Sequence, residues 1–245
     1  MGSFTLGAST GSASYAYDEE VPVAYEQVSD VATTAANIAG NFMDNNGVMY
    51  TAPAMEFMGA GIQAHLGYVL QASDDTVGDG AQPDYSETWG KGYEAGVTVT
   101  YDALKVGVYG AERENKTPNA STGQQISDEF NGVWYATYSF GPVSIGYSES
   151  YLDSGVTGSA EATTSAKTLR TAAGIFEGSQ IGIAFNVNEN LSVSYTESEE
   201  TYNAQSDAGG TTVADVDMEV DAIQFAYSMG GMSIKAYQMD VTNPA

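Results

Sequence analysis

The 245-residue chain has no cysteine, a single histidine (His65) and only 7 lysine and arginine residues. The absence of cysteine excludes a disulfide framework and a thiolate metal site. Proteins that bind nucleic acid neutralise its phosphates with basic side chains, and here 32 acidic residues give a net charge of −25. DNA and RNA are therefore excluded as partners. Apolar runs are also short, and none approaches the roughly 18 residues of a membrane helix, so any membrane insertion would use strands.

Motifs for catalysis and for metal or phosphate binding are scarce as well. Gly59-Ala60-Gly61 and Gly78-Asp79-Gly80 lack the strand-to-helix context of a phosphate loop. The acidic segments Asp74-Asp75, Glu199-Glu200 and 215–221 do not have the ligand spacing of a calcium site, and we interpret them as solvated loop residues. His65 has no nucleophile motif nearby, although a barrel enzyme could bring it a hydroxyl or acidic partner from a distant strand. We therefore predict no enzyme activity, no cofactor and no metal site, and expect His65 to be a polar wall residue.

What the chain has in abundance is strict alternation of apolar with small or polar residues, the period of a two-faced strand. In residues 93–101 one face carries Tyr93, Ala95, Val97, Val99 and Tyr101, and the other carries Glu94, Gly96, Thr98 and Thr100. Similar runs are joined in pairs by four tight turns, at Asp102-Ala103, Gly141-Pro142, Asn188-Glu189-Asn190 and Gly230-Gly231. Long, acid-rich loops separate these pairs. The pattern predicts an up-and-down meander with short turns at one end and long loops at the other.

This meander predicts an all-β, antiparallel transmembrane barrel, because closure hides the strand edges and such barrels share this loop asymmetry. Residues 1–245 then form a single, incomplete barrel domain of about 11 strands. Tyr93 and Tyr101 lie on one face about 20 Å apart along the membrane normal, close to the spacing of two aromatic girdles, as do Phe130 and Tyr138. The alternative is that aromatic residues merely favour strands, as they do in a soluble sandwich.

The polar face helps to separate these alternatives. It carries mainly glycine, serine, threonine and asparagine, whereas the outside of a soluble sandwich normally carries many lysine and glutamate residues. A soluble or surface-anchored β-rich binding protein, such as an adhesin or a lectin-like domain, remains the second hypothesis. Behaviour in detergent distinguishes the two, because only a membrane barrel should need micelles and show heat-modifiable β-structure.

One segment, residues 10–46, interrupts the alternation. It contains Asp18-Glu19-Glu20, Pro22 and an alanine-rich stretch that can form a short helix capped at Ser29 or Asp30. A connection of more than about 15 residues between strands is usually either functional or disordered. Both alternatives are compatible with its composition.

The residues after this segment carry a family resemblance. Asn45-Asn46-Gly47-Val48-Met49-Tyr50-Thr51-Ala52-Pro53 is followed by Phe57-Met58-Gly59 and an alternating strand over residues 61–68. This order resembles the Gram-negative general-diffusion porins, in which a strand reading roughly N-x-V-x-Y-x-S-P follows the constriction loop and leads through a Phe-x-Gly turn. Residues 224–233 are similar to a late hairpin of the alphaproteobacterial members. The resemblance extends over essentially the whole chain.

The resemblance implies an outer-membrane porin, a water-filled channel for passive diffusion of small hydrophilic solutes and ions. It also implies contact with outer-membrane lipid, a homotrimer, and a chain that lacks the first strands and the last of about 16. It further implies that residues 10–46 correspond to the loop that folds inward and narrows the pore. Gly47 replaces a basic residue often found near the start of the following strand, which puts part of the basic side of the constriction in doubt.

The charges in and around this loop give the candidate site residues. We predict an acidic side of the constriction at Asp18, Glu19, Glu20, Glu26, Asp30 and Asp44. We predict a basic or polar lining at His65, Lys105, Arg113 and Lys235, all on the water-facing parity. Opposed charges would create a field across the pore, and the net charge of −25 predicts a preference for cations. The alternative is that these charges are scattered and solvated.

Overall fold

The computed structural model describes residues 1–9, 12–17, 20–28, 45–70, 89–116, 127–155, 174–203 and 215–242. These residues form twelve β-strands and one short 3-10 turn, Ala13–Ala16. The strands are β1 (Ser3–Ser9), β2 (Asn45–Thr51), β3 (Met55–Phe57), β4 (Ala60–Val69), β5 (Trp89–Tyr101), β6 (Leu104–Asn115), β7 (Glu129–Phe140), β8 (Val143–Asp153), β9 (Ile175–Asn188), β10 (Leu191–Asn203), β11 (Val216–Met229) and β12 (Met232–Thr242). None of the described residues forms a helix long and apolar enough to span a membrane.

The strands make one antiparallel sheet in which eleven of them follow sequence order, and β3 pairs with β4 beside this path. The prediction of an antiparallel meander of about eleven strands is confirmed, with β3 as an addition. β1 and β12 are the two edges of the sheet, and within the described ranges no strand pairs with the outer side of either. The sheet is therefore not closed.

All four predicted turns are present, and local chemistry explains them. Asp102 and Gly230 have φ values of 53° and 59°, the left-handed conformation that tight hairpin turns need. At the β9–β10 turn the Asn188 carboxamide oxygen accepts hydrogen bonds from the backbone N–H groups of Asn190 (2.9 Å) and Leu191 (3.1 Å). These turns fix the register of their hairpins, and register decides which side chains share a face.

The two faces of the sheet have inverted polarity compared with a soluble protein. Large apolar side chains on one face are exposed, including the predicted girdle residues Tyr93, Tyr101, Phe130 and Tyr138, which are 41–56% exposed. The opposite face buries polar side chains, among them Glu94, Arg113, Asn131, Ser148 and Ser194. We call these the apolar and the polar face. An exposed apolar face of this extent needs a covering, and lipid supplies one in a membrane barrel.

Near the loop ends the apolar face gives way to an acidic band on β10 and β11. Tyr195 donates a hydrogen bond of 2.5 Å to Asp221, and Thr201 donates one of 2.8 Å to Asp217. Glu199 lies opposite Glu219 in the register. The prediction of solvated loops is wrong for these carboxylates, because they lie within strands, on the exposed side. No described group of three or more acidic or histidine side chains has the arrangement of a metal site.

Candidate functional site

The described parts of residues 12–28 cross the polar face of the sheet from β4 to β12. We call this stretch the crossing segment. Its side-chain and backbone contacts reach, in chain order, β5, β4, β6, β8, β9, β10 and β11. Its points of attachment include a buried glutamate at its start, two glycines under its middle, and a glutamine at its end.

At the start of the crossing segment, Glu94 of β5 accepts three hydrogen bonds. They come from the Ser12 hydroxyl (2.7 Å), the backbone N–H of Ala13 (3.0 Å) and the Tyr109 hydroxyl of β6 (2.8 Å). Glu94 is only 3% exposed, so these donors replace the water that a buried carboxylate would otherwise lack. The geometry makes Glu94 an anchor for the segment.

Tyr17 seats the next part of the segment against β4, β5 and β6. Its hydroxyl lies 2.8 Å from Nδ1 of His65, and its ring stacks on Tyr109 with 5.3 Å between ring centroids. The ring also occupies the space that a Cβ on Gly96 would need. Burial raises the pKa of the Tyr17 hydroxyl, which therefore keeps its proton at neutral pH.

The middle of the segment rests on two glycines of neighbouring strands. A Cβ on Gly146 of β8 would lie 2.5 Å from Cδ of Pro22. A Cβ on Gly182 of β9 would lie 2.8 Å from the carbonyl oxygen of Pro22 and 3.1 Å from Cβ of Val21. Since Gly146 and Gly182 are opposite each other in the register, they form one shallow seat for the chain.

This seat gives a first prediction. Gly182→Val should lower the free energy of unfolding in micelles by about 1 to 3 kcal/mol, because the new side chain must push Val21 and Pro22 away from β9. Guanidinium titration followed by tryptophan fluorescence measures the change. Gly231→Val is the matched control, since a Cβ there meets no atom within 4 Å. Equal losses in both variants would contradict the seat and indicate a general intolerance of valine in strands and turns.

The end of the segment is held by Gln224 of β11. Its Oε1 accepts the backbone N–H groups of Tyr25 (3.0 Å) and Glu26 (3.1 Å), and its Nε2 donates to the carbonyl oxygen of Glu26 (2.6 Å). On β10, the Ser194 hydroxyl accepts the N–H of Ala24 at 2.9 Å. One side chain thus satisfies three backbone groups of a segment whose described residues, 12–17 and 20–28, form no strand.

Val28 completes the attachment in an apolar cluster on the polar face. It is fully buried among Met218, Val220 and Ala222 of β11, with Met239 and Val241 of β12 packed against them. Here the alternation along β11 places apolar side chains inside and the acidic band outside. The residues of this cluster, together with Glu94 and Gln224, carry the docking of the segment, and the sequence analysis did not identify that role for any of them.

Among the predicted charges, the structure brings Glu20 and Lys105 together. Nζ of Lys105 lies 2.7 Å from Oε2 of Glu20, and the two side chains are 37% and 28% exposed. The same ammonium lies 5.0 Å from the centre of the Tyr135 ring. The pair therefore joins the crossing segment to β6 at a place that solvent still reaches.

The other predicted site residues have different partners. Arg113 makes a buried ion pair of 2.8 Å with Glu129 of β7, which the sequence analysis did not single out. Lys235 lies with its Nζ 5.0 Å from the ring centre of Tyr25, next to Glu26 in the chain. His65 contacts Tyr17, as described above. Asp18, Glu19, Asp30 and Asp44 lie outside the described residues.

The geometry defines a class of protein: an antiparallel sheet with a lipid-suited outer face, a polar inner face and a chain segment crossing the inner face. Solved structures of outer-membrane β-barrels share this fold. The outer-membrane-expressed OmpT of Vibrio cholerae has a TM-score of 0.57 at 14% identity, over 99% of this chain and 67% of that one. Its variant lacking loop L8 has a TM-score of 0.55 at 16% identity, over 98% of this chain and 71% of that one. A porin structure refined at 1.8 Å has a TM-score of 0.56 at 12% identity, over 97% of this chain and 71% of that one.

At these identities the likeness shows the fold, and it confirms the predicted fold class. The fold is that of an outer-membrane β-barrel, and the predicted location in the bacterial outer membrane agrees with it. No protein-family model and no curated protein matches the sequence.

Proposed function

We propose that the protein is a porin, a passive outer-membrane channel for small hydrophilic solutes and ions, of the alphaproteobacterial general-diffusion type. In this proposal residues 1–245 belong to one barrel domain, and residues 10–46 are the loop that narrows the channel. The protein carries out no reaction and assembles as a homotrimer embedded in outer-membrane lipid.

The observation that carries this proposal is the crossing segment. A chain of polar and apolar contacts fixes it across the polar face of a sheet whose other face is apolar and exposed. In a closed barrel such a segment would lie across the lumen, where it would limit the width of the water-filled path. Selectivity in such a path follows from its width and from the charges that line it.

We propose further that the channel prefers cations. The chain carries 32 acidic residues against 7 basic ones, and two described carboxylates of the segment, those of Glu20 and Glu26, lie on the polar face with Lys105 and Lys235. The measurement is the reversal potential of the purified protein in planar bilayers under a potassium chloride gradient. An anion-selective reversal potential would contradict the cation preference, and the absence of any conductance would contradict the channel.

The Glu20–Lys105 pair provides a sharper test of the same proposal. Lys105→Gln leaves the Glu20 carboxylate unpaired and should raise the ratio of cation to anion permeability by about two- to fivefold, because exposed pairs contribute up to about 1 kcal/mol. Glu20→Gln should lower the ratio by a similar factor. Lys91→Gln is the control, since Lys91 is exposed and lies against Tyr93 of the apolar face. A change in the same direction in both pair variants would contradict a role of this pair in selectivity.

The competing hypothesis, a soluble β-rich binding protein, makes the opposite prediction about detergent. A protein that is monodisperse in buffer, and whose mobility in gels does not change on heating, would favour it. The exposed apolar face argues against that outcome.

A further inference from the structure

The outward side of β7 to β10 carries a carboxylate that contact with lipid alone does not explain. Glu149 of β8 lies opposite Trp134 of β7. Trp134 is four residues from each of the predicted girdle positions Phe130 and Tyr138. A carboxylate at this depth of a lipid-facing surface is costly unless it reaches water or a cationic partner. The described strands β7 to β11 contain no lysine or arginine, so the strands around Glu149 supply no such partner.

Two neighbouring aromatic side chains hold this carboxylate in place. Nε1 of Trp134 donates a hydrogen bond of 2.8 Å to Oε2 of Glu149, and the Tyr147 hydroxyl donates one of 2.7 Å to Oε1. The two rings have their centroids 5.6 Å apart. A carboxylate accepts about four hydrogen bonds, so these two donors leave capacity for an ammonium group. Aromatic rings beside it attract the same group through cation–π interactions.

These three side chains line an open groove of about 660 Å³ on the outward side of the sheet. Ser179, a small residue, lies between Glu149 and Glu199 in the register and also lines the groove. Glu177 and Glu199, both exposed, make the far side of the groove acidic. Small-molecule sites usually have volumes of about 300 to 1,000 Å³. The groove thus combines aromatic walls and negative charge with the volume of a ligand site.

A smaller, apolar groove of about 190 Å³ adjoins this one on the side of the tight turns. Tyr147 lines both grooves, and the smaller one is also lined by Leu104, Ala136, Ile145 and Ile181. These residues belong to the apolar face, so the smaller groove lies toward the bilayer interior. The two grooves together have the order of a lipid molecule, with a polar part followed by an apolar part.

We infer that the two grooves form a docking site for an outer-membrane lipid whose headgroup carries an ammonium group. The ammonium lies against Glu149 and the rings of Trp134 and Tyr147, and an acyl chain lies in the apolar groove. The carboxylates of Glu177 and Glu199 disfavour a headgroup of net negative charge. Because the grooves and the crossing segment are on opposite faces of the sheet, this inference goes beyond the proposed channel and does not depend on it.

The test is native mass spectrometry of the intact protein released from dodecyl maltoside micelles. The probes are phosphatidylethanolamine and phosphatidylglycerol with identical acyl chains. The wild-type protein should bind phosphatidylethanolamine about fivefold more tightly or better. Glu149→Gln should weaken this binding by about 5- to 20-fold, because it removes the charge that the ammonium contacts. Trp134→Leu should weaken it by about 3- to 10-fold, because it removes one aromatic face.

Asp240→Asn is the matched control. Asp240 is exposed on β12 and lies opposite Asp221 of the acidic band, so this variant removes an equal charge at a distance from the groove. Phosphatidylethanolamine binding should be unchanged in it. Glycerophosphoethanolamine, the same headgroup without acyl chains, should not displace the lipid at equal concentration. Circular dichroism melts in micelles check that Glu149→Gln retains the fold, since the glutamine oxygen still accepts a hydrogen bond from Trp134 or Tyr147.

The outcomes separate a built site from general attraction to an acidic protein. Equal weakening in Glu149→Gln and Asp240→Asn would overturn the site, because only the overall charge would then attract the lipid. Equal binding of the two lipids, or full displacement by glycerophosphoethanolamine, would overturn it as well. Loss of lipid preference in Glu149→Gln with unchanged single-channel conductance would support the site. Lipid preference in a wild-type protein that shows no conductance would also support it, and would contradict only the channel.

Discussion

Ile183→Arg is expected to lower the free energy of unfolding in micelles by about 2 to 4 kcal/mol, the cost of a basic side chain on the lipid face near the bilayer centre. Ile183 lies in the middle of β9 and is 43% exposed, between Ile145 of β8 and Tyr195 of β10 in the register. The nearest carboxylate on this face is that of Glu197, which lies diagonally across β10, opposite Ile181, and Tyr195 donates a hydrogen bond of 3.4 Å to it. Guanidinium unfolding followed by tryptophan fluorescence provides the measurement.

Ser144→Arg is the control for this prediction. Ser144 lies on the polar face, where its hydroxyl pairs with that of Ser139 at 2.8 Å in an exposed position. An arginine there should change stability by no more than about 0.5 kcal/mol, as exposed substitutions usually do. If instead Ile183→Arg were neutral and Ser144→Arg costly, the two faces would have been assigned the wrong way round.

Glu94→Leu is expected to release the start of the crossing segment at a cost of about 2 to 4 kcal/mol. Three donors, from Ser12, Ala13 and Tyr109, would lose one shared acceptor, and each buried donor left without a partner costs about 1 to 3 kcal/mol unless it reaches water. The total loss of stability is smaller than the sum of the three costs, because the released donors can form hydrogen bonds with water. In the proposed channel the same variant should raise single-channel conductance, because a displaced segment would no longer narrow the path.

Two further variants define the role of Glu94. Glu94→Gln retains one oxygen acceptor and should lose about half as much stability as Glu94→Leu. Glu112→Leu, at an exposed position on the apolar face of β6, should leave both stability and conductance unchanged. A Glu94→Leu variant that unfolds easily but keeps the wild-type conductance would show that Glu94 supports the wall and does not position the segment.

The strands and turns were predictable because a single physical rule governs them along the chain. A sheet between lipid and water needs period-two alternation, and the four tight turns are marked by residues suited to them, such as Gly141 and Gly230. β3 was not predicted, since three residues are too short for alternation to be visible.

The attachments of the crossing segment could not be predicted in the same way. The alternation predicted the correct face for Glu94. Its partners Ser12 and Ala13 come from a distant part of the chain, and no local sequence pattern predicts that contact. The Arg113–Glu129 pair depends on the register across the β6–β7 connection, which the sequence does not fix.

The acidic band on β11 could have been predicted, because the sequence contains the alternation typical of a strand. Residues 217–221 alternate acidic side chains with Met218 and Val220, which is the same period of two that identified the other strands. The acidic composition obscured it, and the stretch was assigned to a loop. A search for any period-two alternation, including one between acidic and apolar residues, would have found the strand β11. It would also have found the inward-facing apolar residues that pack around Val28.

The span of the crossing segment also constrains the order in which the protein folds. Tyr25 and its hydrogen-bond partner Gln224 are 199 residues apart in sequence, whereas the hairpin turns join strands that are adjacent in the chain. Contacts of such large sequence separation form late, since the loop they close costs much conformational entropy. The sheet must therefore extend as far as β11 before the end of the crossing segment can dock, so the docking of this segment is a late step of folding.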